Sequence, residues 1–312
     1  MHINSRSVTF LLDYTENLVA ILKELPKRPL LAGERGVRLS LAGAQDKITV
    51  RIEGDEVSLP LGGAPSTHIL KPAIERFEGV VFNETLTMKL AAAIGLPAAP
   101  VETRMVEGIT FLQVERYDRV HLRSAGGKPT VERIHQEDFC QALGIVPETK
   151  HQKEGGPSLQ DCFNLLREVS SLPVIDLARM LDAVIFNYLI GNNDAHGKNF
   201  SLLYPGAGTR EYQVRLAPLY DVVSTIYYPE LSPEMAMKIG GEYSSERVTA
   251  RNFDKLAEEA GLAKPLVRRR VIDLADAILS ALPRLEIQNP VAEGVAASIK
   301  KRAETRSHSL RG

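Results

Sequence analysis

Cysteine is scarce in this chain of 312 residues: only Cys140 and Cys162 occur, and they make no CxxC spacing. A disulfide framework is excluded, and two small buried apolar residues in a reducing compartment are expected instead. An excess of either charge is also missing, since 38 Lys and Arg face 39 Asp and Glu. No autonomous grip on nucleic acid follows from such a balance. No apolar run reaches the ~20 residues that span a bilayer, and the short one near the start is broken by Asp13 and lacks a small-residue cleavage site. The expectation is a cytoplasmic protein without membrane attachment. Neither GxGxxG nor GxxxxGK[ST] is present, so neither a Rossmann nor a P-loop nucleotide site is licensed.

What is there divides in two, as a chain of this length should, because single cores stop growing near this size. In "KITVRIEGDEVSLPL", β-branched and polar residues alternate on either side of Gly54-Asp55, and "PVETRMVEGITFLQVERY" repeats the pattern around Glu107-Gly108. Both segments predict antiparallel hairpins. Between them "VVFNETLTMKLAAAIGLP" predicts one helix with Leu86, Leu90 and Ala93 on a buried face, stopped by Gly95 and Pro97. Beyond Arg119 the patterns are helical: "QEDFCQALG", then "PSLQDCFNLLREVSS" with Ser158 and Asp161 spaced as a capping box, then the almost wholly apolar "PVIDLARMLDAVIFNYLIG". The predicted fold class is α+β: a small antiparallel-sheet lobe with one helix over residues 1–119, and a larger all-helical lobe over 120–312. Basic runs at Arg268 to Arg270 and Lys300 to Arg302 read as solvated helix faces.

The apolar helix stops at Gly191 and delivers Asn193, Asp194, His196, Lys198 and Asn199 onto a loop. Polar groups on a rigid support suit chemistry. The same residue types also close helices and shape turns, and a metal site on Asp194 and His196 would lack further ligands. A second Asp shifts the balance. Phosphoryl transfer from ATP uses one Asp to accept the nucleophile's proton, an Asn five residues later and another Asp to hold Mg2+; Asp194, Asn199 and Asp221 meet that spacing. Lys71, at the end of the strand-like "STHILKP", and Glu84 on the following helix supply the Lys–Glu pair that such chemistry places on the phosphates. In "SLAGAQDKIT", Gly43 lets backbone N–H groups approach phosphate oxygens.

The runs "SLAGAQDK", "THILKP", Asn83-Glu84, "VERYDR", "HQEDFCQALG", "GNNDAHGKNFSLL" and "APLYDVVST", in this order, closely resemble the HipA family of bacterial serine/threonine kinases, the toxin halves of HipA/HipB-type modules. The resemblance covers residues 37 to 240. It implies a two-lobed protein-kinase-like fold and the use of ATP and Mg2+.

By that resemblance Asp194 is the catalytic base, with Asn199 and Asp221 as Mg2+ ligands, Lys71 as the phosphate lysine and Glu84 as its partner. Gly43, Ala44 and Gln45 belong to the nucleotide loop, and Glu115 and Tyr117 flank the adenine on a connector that binds it through its backbone. Lys198 is placed to offset charge on the transferred phosphoryl group, and His196 to orient the loop. Ser40 corresponds to an autophosphorylation site, where a phosphate adds about −1.5 to −2 charge in a region that receives those of ATP. The implied substrate is a protein, an aminoacyl-tRNA synthetase, whose modification stops translation and growth. The implied partner is a HipB-like DNA-binding antitoxin.

Long members of the family carry an additional N-terminal subdomain before the nucleotide loop, whereas Ser40 here lies close to the first residue. Either the chain is a short-form, HipT-type member, with a small third protein supplying the missing piece, or it is a truncated piece of a longer chain; the initial Met and the helix pattern in "YTENLVAILKEL" favour the short form. A small-molecule kinase and a catalytically silent antitoxin-binding module are the alternatives.

Overall fold

The computed structural model describes residues 9–12, 16–24, 47–54, 56–60, 63–74, 76–122, 130–146 and 149–311. The chain divides into two compact units, Met1–Thr85 with Ala99–Arg133, and Leu86–Ala98 with Ile134–Gly312.

The first unit is built on a six-stranded antiparallel sheet. Its elements are β1 (Thr9–Leu12), α1 (Glu16–Glu24), β2 (Ile48–Glu53), β3 (Glu56–Pro60), β4 (His68–Pro72), the start of α2 (Val80–Ala93), β5 (Val101–Val106) and β6 (Ile109–Glu115). A separate hairpin joins β7 (Arg119–Leu122) to β8 (Thr130–Arg133). The strand order is β1-β3-β2-β4-β6-β5, so both hairpins expected from the alternation are present and β4 is the strand that joins them. Arg51 lies opposite Ser58 in one and Val106 opposite Ile109 in the other. The second hairpin turns on Glu107 and Gly108, both at positive φ (45° and 78°), the backbone that matches the twist of paired strands. One core packs Leu18, Val19 and Leu22 of α1 on Ile48, Val50, Leu59, Leu70 and Phe111 of the sheet.

Helix α2 is covered on more than the single side expected for it. Leu86 and Leu90 are buried, but so are Asn83, Glu84, Thr87, Met88 and Ala91, while Ala93 is exposed. A 3.6-residue stripe cannot announce a helix enclosed nearly all round.

The second unit comprises β9 (His135–Asp138), α3 (Phe139–Ala142), α4 (Leu159–Val169), α5 (Pro173–Ile190), β10 (Ser201–Tyr204), β11 (Arg215–Leu216), β12 (Glu234–Ile239), β13 (Glu242–Ser244), α6 (Ala250–Glu259), α7 (Lys264–Ala281) and α8 (Pro290–Arg311). Helix α5 is its axis. Every residue from Ala183 to Ile190 is buried, and the helix touches α4, α7 and α8. Pro173 opens it at a position that needs no N–H donor. Helix α4 starts on the predicted capping box, in which Ser158 Oγ accepts from the Asp161 N–H and Asp161 Oδ2 accepts from the Ser158 N–H.

The expectation of an all-helical second lobe is corrected by two small sheets, β11-β10-β9 and β12-β13. Their strands run from two to six residues, mostly too short for period-two alternation to register. The "QEDFCQALG" run is accordingly split: its first residues are β9, and only Phe139–Ala142 are helical. Arg302 corrects a second expectation. It is buried rather than solvated, donates to Tyr188 O and Ser245 O, pairs with Glu246 and lies 5.1 Å from the Tyr188 ring centroid. Arg268, Arg269 and Arg270 each pair with an Asp, namely Asp254, Asp273 and Asp182.

Candidate active site

The end of α5 is fixed before any polar group is presented. Gly191 sits at φ 73°, and its N–H closes the helix on Asn187 O and Tyr188 O. A Cβ here would collide with Cδ1 and Cγ1 of Ile226. The close approach is used: Ile226 N and Thr225 Oγ1 both donate to Gly191 O, at 3.1 Å each, and Ser224 Oγ donates to Ile190 O at 2.7 Å.

The first two loop amides are spent on this support. Asn192 Nδ2 donates to Asn187 Oδ1 (2.7 Å), and Asn192 Oδ1 accepts from the Asp194 N–H (3.2 Å). Asn193 N donates to Thr225 Oγ1 (2.8 Å), its Nδ2 to Pro233 O (3.1 Å), and its carbonyl accepts from Ala236 N (2.7 Å). Both residues are buried, whereas the Asp194 carboxylate beyond them is 57% exposed. A rigid loop thus carries one accessible acid at its tip.

His196 is buried under that tip, and its backbone N–H donates to Asn199 Oδ1 at 3.2 Å. Burial pushes its imidazole down to about 4, against the opposing pull of the Asp194 charge, so the ring is neutral at pH 7. At Gly197 a Cβ would collide with Pro157 and stand 2.9 Å from Cys140 Sγ, so this turn too admits only glycine. Lys198 is half-buried beside it.

Asp221 comes from a separate segment that is tied to the same loop. The Tyr220 hydroxyl donates to Lys198 O at 2.8 Å and accepts from Ser201 Oγ at 2.6 Å. Leu219 N donates to Pro97 O (2.8 Å), and Thr87 Oγ1 donates to Val222 O (2.5 Å). Held on both sides, Asp221 adopts φ 58°, and its side chain is exposed. A non-glycine residue in this conformation persists only where its surroundings impose it, and such residues cluster at functional sites.

In the first unit, Lys71 Nζ donates to Glu84 Oε1 at 2.7 Å, with the two side chains 7% and 3% exposed. Lys71 lies in β4 opposite Leu112 of β6, and Glu84 in α2. Glu115 ends β6 with its N–H donated to Pro100 O, and Tyr117 follows half-buried. A buried ion group stands beside them. Asp118 is buried and accepts from Arg116 Nη2 and Arg119 Nη1, each at 2.7 Å, while Arg119 Nε donates to Ser66 O. Burial alone would raise the Asp118 carboxyl, but the two guanidinium groups hold it below the usual range; burial in turn brings Arg119 down to about 10. The alternating charges of "ERYDR" were its only signal. Ser40, Gly43, Ala44 and Gln45 lie outside the described residues.

One neighbour of Asp194 has no signal in the sequence at all. His151, from the loop before α4, places Nε2 3.1 Å from Asp194 Oδ1 and its Nδ1 3.1 Å from Glu154 Oε2.

A family model described as the HipA-like C-terminal domain matches residues 39–282. The chain belongs to this family. It is 54% identical over 268 residues to Y4mE of Sinorhizobium fredii, which carries a provisional kinase name, covering 86% of this chain and 62% of that protein. It is 30% identical over 286 residues to the serine/threonine-protein kinase toxin HipA of Shewanella oneidensis, covering 88% and 64%. The chain therefore spans less than two thirds of the length of these relatives. Among solved structures, the Shewanella oneidensis toxin–antitoxin complex of HipA, HipB and operator DNA superimposes with a TM-score of 0.82 at 26% identity, over 99% of this chain and 74% of that one. The Helicobacter pylori proinflammatory kinase CtkA shares the fold, with a TM-score of 0.58 at 14% identity over 88% of this chain and 93% of that one. The α+β, kinase-like fold of this HipA-family chain is thereby established. No helix among its described residues is long and apolar enough to cross a membrane.

Proposed function

We propose that this HipA-family chain is an ATP- and Mg2+-dependent serine/threonine protein kinase acting as the toxin of a toxin–antitoxin module. The observation that carries the proposal is the exposed Asp194 carboxylate on a loop whose other amides are consumed in holding it, with Asn199 on the same loop and Asp221 tied to it through Tyr220.

Asp194 orients an acceptor hydroxyl and takes its proton as the hydroxyl oxygen bonds to the γ-phosphorus of ATP. The bond from that phosphorus to the β,γ-bridging oxygen breaks, and ADP leaves with the electron pair. The Asn199 amide oxygen and the Asp221 carboxylate are hard oxygen donors that fit Mg2+, which keeps several waters and takes its other ligands from phosphates. When bound, the ion neutralises charge on the β- and γ-phosphates. Lys71, oriented by Glu84, serves the phosphates from the first unit, and Lys198 offsets charge on the transferring group. His196, neutral and bonded through its backbone to Asn199, orients the loop rather than moving a proton. Because the Glu115 N–H is spent on Pro100, contact with adenine falls to the remaining backbone of Glu115 and Tyr117. Residues 1–119 then form the nucleotide lobe, with Gly43, Ala44 and Gln45 on the phosphates, and 120–312 the catalytic lobe. Autophosphorylation of Ser40 switches the enzyme off.

The relative that forms a complex with HipB and operator DNA supports a HipB-like antitoxin as partner. An aminoacyl-tRNA synthetase as the phosphorylated protein extends the same proposal. Incubation with γ-labelled ATP and cell lysate tests it: label on a discrete protein band is expected, and label confined to small metabolites rejects it in favour of a small-molecule kinase.

A further inference from the structure

Apart from the oxygen donors assigned to Mg2+, one constellation in the second unit has the composition of a metal site. His151, Asp194 and His196 each place a donor atom within 4.8 Å of the other two. His151 Nε2 lies 3.1 Å from Asp194 Oδ1, His196 Nε2 lies 3.9 Å from Asp194 Oδ2, and the two rings meet edge to face with centroids 5.4 Å apart. A tetrahedral ion with bonds of about 2.0–2.1 Å keeps its ligand atoms roughly 3.3 Å apart. The His151 Nε2–Asp194 Oδ1 edge is already close to that spacing. The other two must shorten by no more than about 1.5 Å, within reach of a rotation of the Asp194 and His151 side chains.

The hydrogen bonding of His151 supplies an independent argument. Its Nδ1 faces Glu154 Oε2 and its Nε2 faces Asp194 Oδ1, both at 3.1 Å. A neutral imidazole has a single N–H. In the tautomer that donates Nδ1–H to Glu154, the Nε2 lone pair faces Asp194 Oδ1, so both atoms can take the same cation. A histidine whose far nitrogen is held by a carboxylate is also the usual way in which metal-ligating imidazoles are oriented.

We infer that His151, Asp194 and His196 bind a single transition-metal ion of the Zn2+ class, and that occupation of this site silences phosphoryl transfer. The second half rests on the kinase function proposed above. Two imidazole nitrogens and one carboxylate select Zn2+, Co2+ or Ni2+ over Mg2+, which prefers oxygen, so this site and the Asn199–Asp221 pair discriminate by donor type. Binding and catalysis compete for one group, because a carboxylate bonded to the metal cannot accept the proton of an acceptor hydroxyl.

The test uses the full chain, stripped of metal and titrated with Co2+ alone, read through the visible d–d absorption that a low-coordinate site gives. One equivalent saturates the wild-type protein. His151→Gln and Asp194→Asn weaken binding at least about tenfold, the lower bound by which even outer-shell partners move metal affinity. His121→Gln, on the exposed hairpin of the first unit, changes nothing. In parallel, Zn2+ added at saturating Mg2+ inhibits phosphoryl transfer by the wild type, and His151→Gln needs at least about tenfold more Zn2+ for the same inhibition. Absence of a saturable Co2+ spectrum overturns the site, as does equal affinity in wild type and His151→Gln. Saturable binding that leaves the transfer rate unchanged overturns the competition for Asp194. Because Co2+ binding needs no turnover, a chain that binds Co2+ but transfers no phosphate contradicts only the kinase proposal.

Discussion

The Tyr220 hydroxyl donates to the carbonyl oxygen of Lys198 across 2.8 Å. It joins the residue before Asp221 to the residue before Asn199, so the two donors assigned to Mg2+ are held in register by one half-buried phenol. Burial raises the phenol's pKa, which keeps it a neutral donor. Tyr220→Phe leaves Lys198 O and Ser201 Oγ without this partner, at a cost of about 1–3 kcal/mol. The expected result is a higher half-saturating Mg2+ concentration with a smaller change in the rate at saturating Mg2+, measured by phosphoryl transfer across a Mg2+ series.

The buried Lys71–Glu84 pair separates stability from activity. Lys71→Met strips Glu84 of this cation in a dry environment, and breaking a buried pair by removing one partner costs about 3–5 kcal/mol. Lys71→Met with Glu84→Gln should recover much of that stability and none of the activity. Urea unfolding and a transfer assay on both variants check it; activity returning with stability would show that Lys71 does not serve the phosphates.

Gly191→Ala meets two obstacles, a left-handed backbone and the Ile226 side chain. Strain of about 1–3 kcal/mol from the conformation adds to overpacking of similar size. Adding Ile226→Ala relieves the second and not the first, so partial recovery of the denaturation midpoint is expected.

Asp176, fully buried in α5, anchors β11. Burial alone would raise its carboxyl, but it accepts from Arg215 Nε and Nη2 and from Leu216 N, each at 3.1 Å, and from Ser170 Oγ at 2.7 Å, and is held below the ordinary carboxylate range. A depressed folded-state pKa contributes stability above the unfolded value of about 3.9, and that stability is lost as pH falls through the folded value. Wild type should therefore exceed Asp176→Asn in unfolding free energy at neutral pH, and the gap should narrow on acidification below about pH 4. A gap independent of pH would contradict the assignment.

Local signals carried the hairpins and the helix ends. Alternation with Gly54 and Gly108 marked the turns, and Ser158 with Asp161 marked the start of α4. The spacing of Asp194, Asn199 and Asp221 lies within one loop and the next strand-like stretch, and the structure ties these two segments together through Tyr220. His151 was not legible, because it reaches Asp194 from 43 residues away and nothing in "KHQKEGG" distinguishes a ligand from a surface histidine. Arg302 misled for the opposite reason. A Lys-Lys-Arg run reads as solvated charge, and only the packing of α8 shows that its last member lies under Tyr188 and Glu246.

Phosphopeptide mapping of host proteins after induction tests the central claim most directly, with the Asp194→Gln variant induced to the same level. The account predicts new phosphoserine or phosphothreonine peptides with the wild type that are absent with the variant. The same peptides at the same abundance in both would contradict it.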